Sequence, residues 1–290
     1  MISFKPLHPV FVAEAQGVDL RQPLSKEEIG KVEEAMDRYA VLVWHDQPLD
    51  EDQQIAFSRQ FGALDIGLRK AYGGKHRLKH EELIDISNVT PEGEVTGRAS
   101  SKAISNLANQ LWHSDSSFQK PAAGYSMLSA VVLPSKGGET EYCDLRAAYD
   151  ALPESTKKEI ADLKTEHWAF YTRTWLGDTY SEKQLAALPA VEWPLVRIHP
   201  RSGRKVLWVG AHATRILGMS IAEGRILLAD LLEHATQREF VYRHEWRQGD
   251  LVIWDNRATM HRGRHYDETK IRDLRRVTTR DVASTLDQVA

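Results

Sequence analysis

Short apolar runs broken by turn residues recur along nearly the whole chain, which points to an architecture of many small strands. Ala40-Val41-Leu42-Val43-Trp44, Leu83-Ile84-Asp85-Ile86-Ser87 and the longer run from Tyr125 to Leu133 read as strands, the last one broken by Pro134 and Gly137-Gly138. Glu139-Thr140-Glu141-Tyr142-Cys143 alternates with the period of two that a half-buried strand requires. Pro194 to His199 and Val206 to Val209 flank the turn Arg201-Ser202-Gly203-Arg204 and predict a hairpin. Phe240 to Trp246, Asp250 to Asp255 and Leu274 to Asp281 return the chain to strands. Helices fall between these runs. Ser25 with Glu28 and Ser220 with Glu223 are capping-box pairs. The first opens a helix continued by Ile29, Val32 and Met36, the second a helix to about Gln237. Asp50 caps another through Phe61, which Gly62 ends, and Glu154 to Leu163 is a shorter one. No repeat or linker divides the 290 residues. The expectation is one domain over 1–290, mainly β with peripheral helices, of the sandwich or barrel type.

Composition narrows the partners. A net charge of -3 and a pI near 6.5 give no electrostatic footprint for nucleic acid. The lone Cys143 excludes an intrachain disulfide and fits a reducing compartment. No apolar run approaches the roughly 20 residues of a membrane-spanning helix, and Met1 to Pro6 lack the apolar core of a signal peptide. A cytoplasmic protein without nucleic-acid or membrane partners is expected, and a homo-oligomer is compatible with all of this. Two polar stretches, 63–79 and 91–101, lose periodicity and read as mobile loops. The first is basic and carries Lys70, which a loop of this kind would place over an anionic ligand.

Leu111-Trp112-His113-Ser114-Asp115-Ser116-Ser117-Phe118 carries the first chemistry. On extended backbone i and i+2 share a face, so His113 and Asp115 would converge as a nitrogen and a carboxylate ligand. That is two thirds of a 2-His-1-carboxylate facial triad, the set that leaves coordination positions open in non-haem Fe(II) oxygenases. His-x-Asp alone is common, and the motif needs a second histidine. His261, after a strong strand and far downstream, is the natural candidate. Eleven residues further on, Arg272, Leu274 and Arg276 share one face of an extended segment. Two inward guanidinium groups would be costly without anions, and arginine's planar fork suits carboxylates. Turned outward, the same pair would be a solvated basic edge.

Taken together, His113-x-Asp115, His261 and the arginine eleven residues beyond it resemble the Fe(II)/2-oxoglutarate-dependent dioxygenases of the taurine dioxygenase group. Within that group the chain is most similar to the branch acting on 2,4-dichlorophenoxyacetate. The resemblance runs through Pro6-Leu7-His8-Pro9, Asp52-Gln53-Gln54-Ile55-Ala56-Phe57, Gln110 to Phe118, Arg146 to Pro153 and Trp254-Asp255-Asn256-Arg257. It implies a double-stranded β-helix, or jelly roll, with Fe(II) on His113, Asp115 and His261. It implies that Thr140 and Arg272 hold the distal carboxylate of 2-oxoglutarate, with Trp254 close by. Arg276 would meet the anionic group of the substrate, with His199, His212, Arg197 and Lys70 as further substrate contacts. One departure is Glu94, which stands where the phenoxyacetate branch leads one to expect a lysine; pointing inward, it would weaken binding of an anion.

The chemistry implied consumes 2-oxoglutarate and dioxygen, gives succinate and carbon dioxide, and hydroxylates a carbon of a small anionic substrate. An aryloxyacetate hydroxylated next to its ether oxygen would collapse to a phenol and glyoxylate. The alternatives are the same chemistry on a sulfonate such as taurine or on another small organic acid, and, from a different class, a catalytically idle jelly-roll protein that only binds metal or ligand. An intact Arg272 and Thr140 argue against idleness, because an idle site needs no cosubstrate clamp.

Overall fold

A computed structural model of the chain describes residues 1–67, 77–97 and 100–281. It is mainly β with helices at the periphery, as expected. The larger sheet has eight strands. In spatial order seven of them run Ser3–Pro6, Ala13–Gln16, Val41–Trp44, Leu251–Asp255, Ala123–Val132, Asp273–Arg280 and Leu64–Asp65. Ile84–Ser87 also pairs with Asp273–Arg280. Of the other sheets, the smaller one that packs against it is Val241–His244, Thr140–Asp144 and Thr259–Gly263, all antiparallel, while Lys164–His167, Val191–Pro194 and Ala213–Ile216 form another.

Alternation explains the packing. Val41 and Val43 face inward with Leu128, Val252, Trp254 and Leu274, and meet Tyr142 of the smaller sheet. Their neighbours Leu42, Trp44, Met127 and Ile253 face outward. There they are covered by Val32 and Met36 of helix Lys26–Tyr39 and by Phe57 of helix Glu51–Arg59. Both faces of the central strands are therefore buried, which is why Val41–Trp44 is apolar throughout. Fully burying a side chain of this size contributes roughly 1.5–3 kcal/mol.

The capping boxes at Ser25, Asp50 and Ser220 all form. Several details differ from the sequence reading. The helix from Asp50 stops at Arg59 with Gln60 as its cap, before Gly62. A helix at Ser101–Ala108 follows the cap of Ser100, where only a polar segment leading into the metal motif was expected. Leu145–Asp150 is a further helix, capped by Asp144, whose side chain accepts from the backbone N–H of Arg146 and Ala147. Tyr171–Trp175 and Glu182–Ala187 are helices that were likewise not expected, and all four are too short to show a helical period. Among the described residues no helix is long and apolar enough to cross a membrane.

Candidate active site

His113 does not lie on a continuous strand. It forms an isolated antiparallel bridge with His261: the N–H of His113 donates to the His261 carbonyl at 3.0 Å, and the reverse bond is 2.8 Å. The chain turns from Asp115 onward, with Ser116 in the left-handed region at φ 49. The convergence of His113 and Asp115 therefore comes from a bridge followed by a turn rather than from a strand running through both. Gly210 lets this happen. At φ +129, a Cβ there would sit 2.9 Å from the Met260 sulfur, 3.1 Å from the Trp112 carbonyl oxygen and 3.5 Å from the His113 Cα.

The result is one compact, buried cluster: His113, Asp115 and His261 each offer one ligand atom within 4.8 Å of the others. The His113 Nε2 lies 3.9 Å from one Asp115 oxygen and the His261 Nε2 3.9 Å from the other. These separations are too long for hydrogen bonds and short enough for a shared ion. The Nδ1 of His113 is 2.7 Å from the Leu111 carbonyl, which fixes it as the N–H and leaves Nε2 with its lone pair. Burial lowers the pKa of both histidines, so they are neutral, ligand-competent bases at neutral pH. Burial pushes Asp115 upward, but Arg276 and the two histidines hold its carboxyl below the usual range.

Beside the cluster opens a cavity lined by His113, His261, Thr140, Trp254, Arg272 and Arg276. Ile86 and Leu128 give it apolar wall, and Asn106, Asn109 and Gln110 form another side. Arg272 is buried and has no ion-pair partner among the described residues. It donates to the Gly138 carbonyl at 2.9 Å, lies 5.4 Å from the centre of the Tyr266 ring, and its Nε makes no hydrogen bond. Gly138, at φ +77, leaves it room: a Cβ there would fall 2.8 Å from the Arg272 Nε. Thr140 begins the strand opposite His244, and its Oγ1 accepts the indole N–H of Trp246 at 3.0 Å. That bond leaves the hydroxyl proton of Thr140 free for the cavity. Trp254 packs its ring 4.6 Å from that of His261. A buried guanidinium without an ion-pair partner among the described residues and a hydroxyl donor on one wall of the cavity, next to a cluster of two imidazole nitrogens and a carboxylate, fit a chelating dicarboxylate on a divalent metal.

Several expected substrate contacts sit elsewhere. Arg276 does line the cavity, but its Nη1 donates to Asp115 Oδ1 at 2.5 Å. Arg197 is buried between Trp193 and Trp208, 4.3 Å from each ring, and faces Asp281 at 3.4 Å. The Nε2 of His199 is 3.0 Å from Asp255, and its Nδ1 accepts the Ser202 N–H at 3.0 Å. Neither lines the cavity; the hairpin Val196–Ile198/Lys205–Leu207 turns both toward buried carboxylates. His212 pairs with the Ser117 hydroxyl at 3.0 Å and abuts the ring of His113 at 5.9 Å, behind the cluster and not on the cavity wall. Glu94 is exposed on a turn in which the Thr90 N–H donates to its carbonyl at 2.7 Å, so it does not point into the cavity. Lys70, with 68–76 of the stretch 63–79, lies outside the described residues, as do 98 and 99 of the stretch 91–101. Thr96, of the latter, contributes to the cavity wall.

Two residues of the site had no sequence signal of their own. Asn256 sits within the Trp254-Asp255-Asn256-Arg257 run, whose only sequence signal is its family likeness, and Ser126 is one of two serines in a largely buried strand. Both reach Asp115.

A buried facial set beside an anion-seeking arginine, on two facing sheets, defines a jelly-roll oxygenase site. The chain belongs to the TauD/TfdA family of Fe(II)- and 2-oxoglutarate-dependent dioxygenases: the family model described as taurine catabolism dioxygenase TauD, TfdA family, matches residues 3–278. Its relatives include the alpha-ketoglutarate-dependent 2,4-dichlorophenoxyacetate dioxygenase of Cupriavidus pinatubonensis (strain JMP 134), 57% identical over 96% of this chain and 97% of that enzyme. The (S)-phenoxypropionate/alpha-ketoglutarate-dioxygenase of Sphingobium herbicidovorans is 38% identical over 81% of this chain and 79% of its own. Among solved structures, AAD-2 in complex with Mn(II) and N-oxalylglycine superposes with a TM-score of 0.90 at 46% identity, covering 98% of both chains.

Proposed function

We propose that this chain hydroxylates an aryloxyacetate of the 2,4-dichlorophenoxyacetate type on the carbon next to the ether oxygen. His113, Asp115 and His261 hold Fe(II), Thr140 and Arg272 take the distal carboxylate of 2-oxoglutarate, and Trp254 flanks it. The observation that carries the site assignment is that the three-residue cluster adjoins a cavity, lined by His113 and His261, that also holds a buried arginine lacking an ion-pair partner among the described residues. The substrate class is supported by 57% identity to enzymes named for 2,4-dichlorophenoxyacetate. We read residues 1–290 as one dioxygenase domain, since the first and last described strands share the larger sheet.

Bound iron supplies the activation of dioxygen coupled to oxidative decarboxylation of 2-oxoglutarate. One oxygen atom enters succinate and the other the substrate, and carbon dioxide leaves. The hydroxylated aryloxyacetate is a hemiacetal, which breaks at its ether carbon to a phenol and glyoxylate. The protein positions and excludes water. Ile86, Leu128 and Trp254 give the cavity apolar wall. Arg276, which donates to Asp115 and borders the cavity beside the ligand set, is the cation that would meet a substrate carboxylate. Positioning matters because a displacement of about 1 Å can cost on the order of a hundredfold in rate.

The second reading is the same chemistry on a sulfonate such as taurine, favoured by the name of the matching family. A panel of acids, assayed for succinate together with each acid's own product, separates the two. Turnover of 2,4-dichlorophenoxyacetate to equal amounts of phenol, glyoxylate and succinate is expected. Coupled turnover of taurine with none of any aryloxyacetate would overturn the proposal.

A further inference from the structure

The Asn256 amide makes four hydrogen bonds, and elementary donor and acceptor rules fix its orientation. The backbone N–H of Asp115 and the indole N–H of Trp254 can only donate, so the amide atom 3.0 Å from the first and 2.9 Å from the second is Oδ1. The Gly124 carbonyl can only accept, so the atom 3.1 Å from it is Nδ2. The second Nδ2 proton then goes to the Ser126 Oγ at 2.9 Å. Ser126, already accepting, has one hydrogen of its own. The carboxylate of Asp115 receives it, with Ser126 Oγ 2.8 Å from Oδ2. Thr278 Oγ1, 3.0 Å away, therefore donates to the remaining lone pair of Ser126. Asn256 is fully buried and Ser126 fully buried beneath the site. Arg276, the partner of the other Asp115 oxygen, borders the cavity instead.

We propose that Asn256, acting directly on the Asp115 backbone and through Ser126 on its carboxylate, is the positioning residue that presents Asp115 as a one-oxygen metal ligand. This rests on the reading of His113, Asp115 and His261 as the ligand set. Oδ2 is held by a donor that cannot turn away, because every alternative direction in the chain from Thr278 and Asn256 is already taken. The carboxylate plane is fixed, Oδ1 stays available once Arg276 turns to a ligand, and a bidentate grip that would occupy a further coordination position is disfavoured. Asn256 also holds Trp254 in place, so the same amide sets the metal ligand and the wall of the cosubstrate pocket.

The test uses Mn(II) as the probe, titrated calorimetrically into the metal-free, full-length protein. Removing an outer hydrogen-bond partner of a metal ligand typically weakens metal affinity by 10–100-fold. Ser126→Ala, which deletes one hydroxyl and little volume, is expected to raise the Mn(II) dissociation constant about tenfold. Asn256→Asp, which keeps the shape and loses both donors, is expected to raise it about a hundredfold. The melting temperature of metal-free Ser126→Ala should change far less than its metal affinity, and its KM for 2-oxoglutarate at saturating iron should be unaltered. If Asn256→Asp fails to fold, Ser126→Ala and Thr278→Val decide alone. Wild-type Mn(II) affinity in Ser126→Ala, alongside lost binding in Asp115→Ala, would overturn the wiring and leave the ligand set standing. Wild-type affinity in Asp115→Ala would overturn the ligand set itself.

Discussion

Two buried clusters of this protein use the same residue types and differ in one respect. Around Asp255, opposite charges face one another. The Arg257 guanidinium reaches Asp255 at 2.8 and 2.7 Å and Asp281 at 3.6 Å, His199 meets Asp255 at 3.0 Å, and Arg197 meets Asp281 at 3.4 Å. Around Asp115 the pairing is partial: Arg276 donates to one carboxylate oxygen at 2.5 Å, but the two histidine Nε2 atoms stop 3.9 Å short of the carboxylate, and Arg272 meets no carboxylate among the described residues. Burying charge is costly unless it is paired. The first cluster meets that cost internally and ties the hairpin to the end of the larger sheet. The second meets it only in part, through Arg276 on Asp115, and on the proposed function a metal and an anion supply the rest. Pairing, more than residue type or burial, separates scaffold from site here.

Substitutions on the two sides should fail differently. The largest effect is expected for Asp115→Ala: turnover dependent on iron and 2-oxoglutarate falls to background while circular dichroism stays native. Full activity in a folded, iron-loaded variant would sink the ligand assignment. Asp255→Asn should do the reverse. Breaking a buried ion pair from one side costs about 3 kcal/mol or more, so chemical denaturation should show a large loss of stability while the KM for 2-oxoglutarate holds. Burial raises the Asp255 pKa, yet Arg257 and His199 outweigh this and hold the carboxylate far below its ordinary value. Its stabilisation is thus complete above the unfolded value of about 3.9 and is lost as pH falls through the depressed folded value. The stability gap between wild type and Asp255→Asn should accordingly be full at neutral pH and close only in strong acid; a gap that closes near neutrality would contradict the pairing.

Arg272→Gln comes next. Losing a buried guanidinium that pairs with a carboxylate costs about 3 kcal/mol, a rise of roughly a hundredfold in the KM for 2-oxoglutarate, with little loss of fold stability. Equal losses in both would place Arg272 with the scaffold. The smallest effect is expected for Arg276→Gln, about tenfold in substrate KM, as befits a partly exposed charged contact worth ~1.5 kcal/mol, with 2-oxoglutarate affinity nearly unchanged. A defect mainly in 2-oxoglutarate would exchange the roles of the two arginines.

How far this division was legible in the sequence depends on the range of the interactions. Arg272 and Arg276 share a face of one extended segment, so local geometry exposed them, whereas the two-residue spacing of His113 and Asp115 pointed to the right pair through a strand that is in fact a bridge and a turn. His261 was suggested by its place after a strong strand, and Thr140 followed from likeness to a family. Arg197 and His199 were misplaced because their partners lie 84 and 56 residues away, and only the folded chain shows that Asp281 and Asp255 claim them. Asn256 and Ser126, 130 residues apart, were invisible for the same reason. The strands and the longer capped helices were readable because they obey a local period. Helix Ser101–Ala108, too short for one, was not.

The most direct test of the central claim is an anaerobic optical titration of the Fe(II)-loaded protein with 2-oxoglutarate, run on wild type, Asp255→Asn, Asp115→Ala and Arg272→Gln. The account predicts a visible charge-transfer band that saturates stoichiometrically in wild type and folded Asp255→Asn. The same band should need far more 2-oxoglutarate in Arg272→Gln and be absent in Asp115→Ala. A band of wild-type strength in Asp115→Ala, or one lost in a folded Asp255→Asn and kept unchanged in Arg272→Gln, would contradict it.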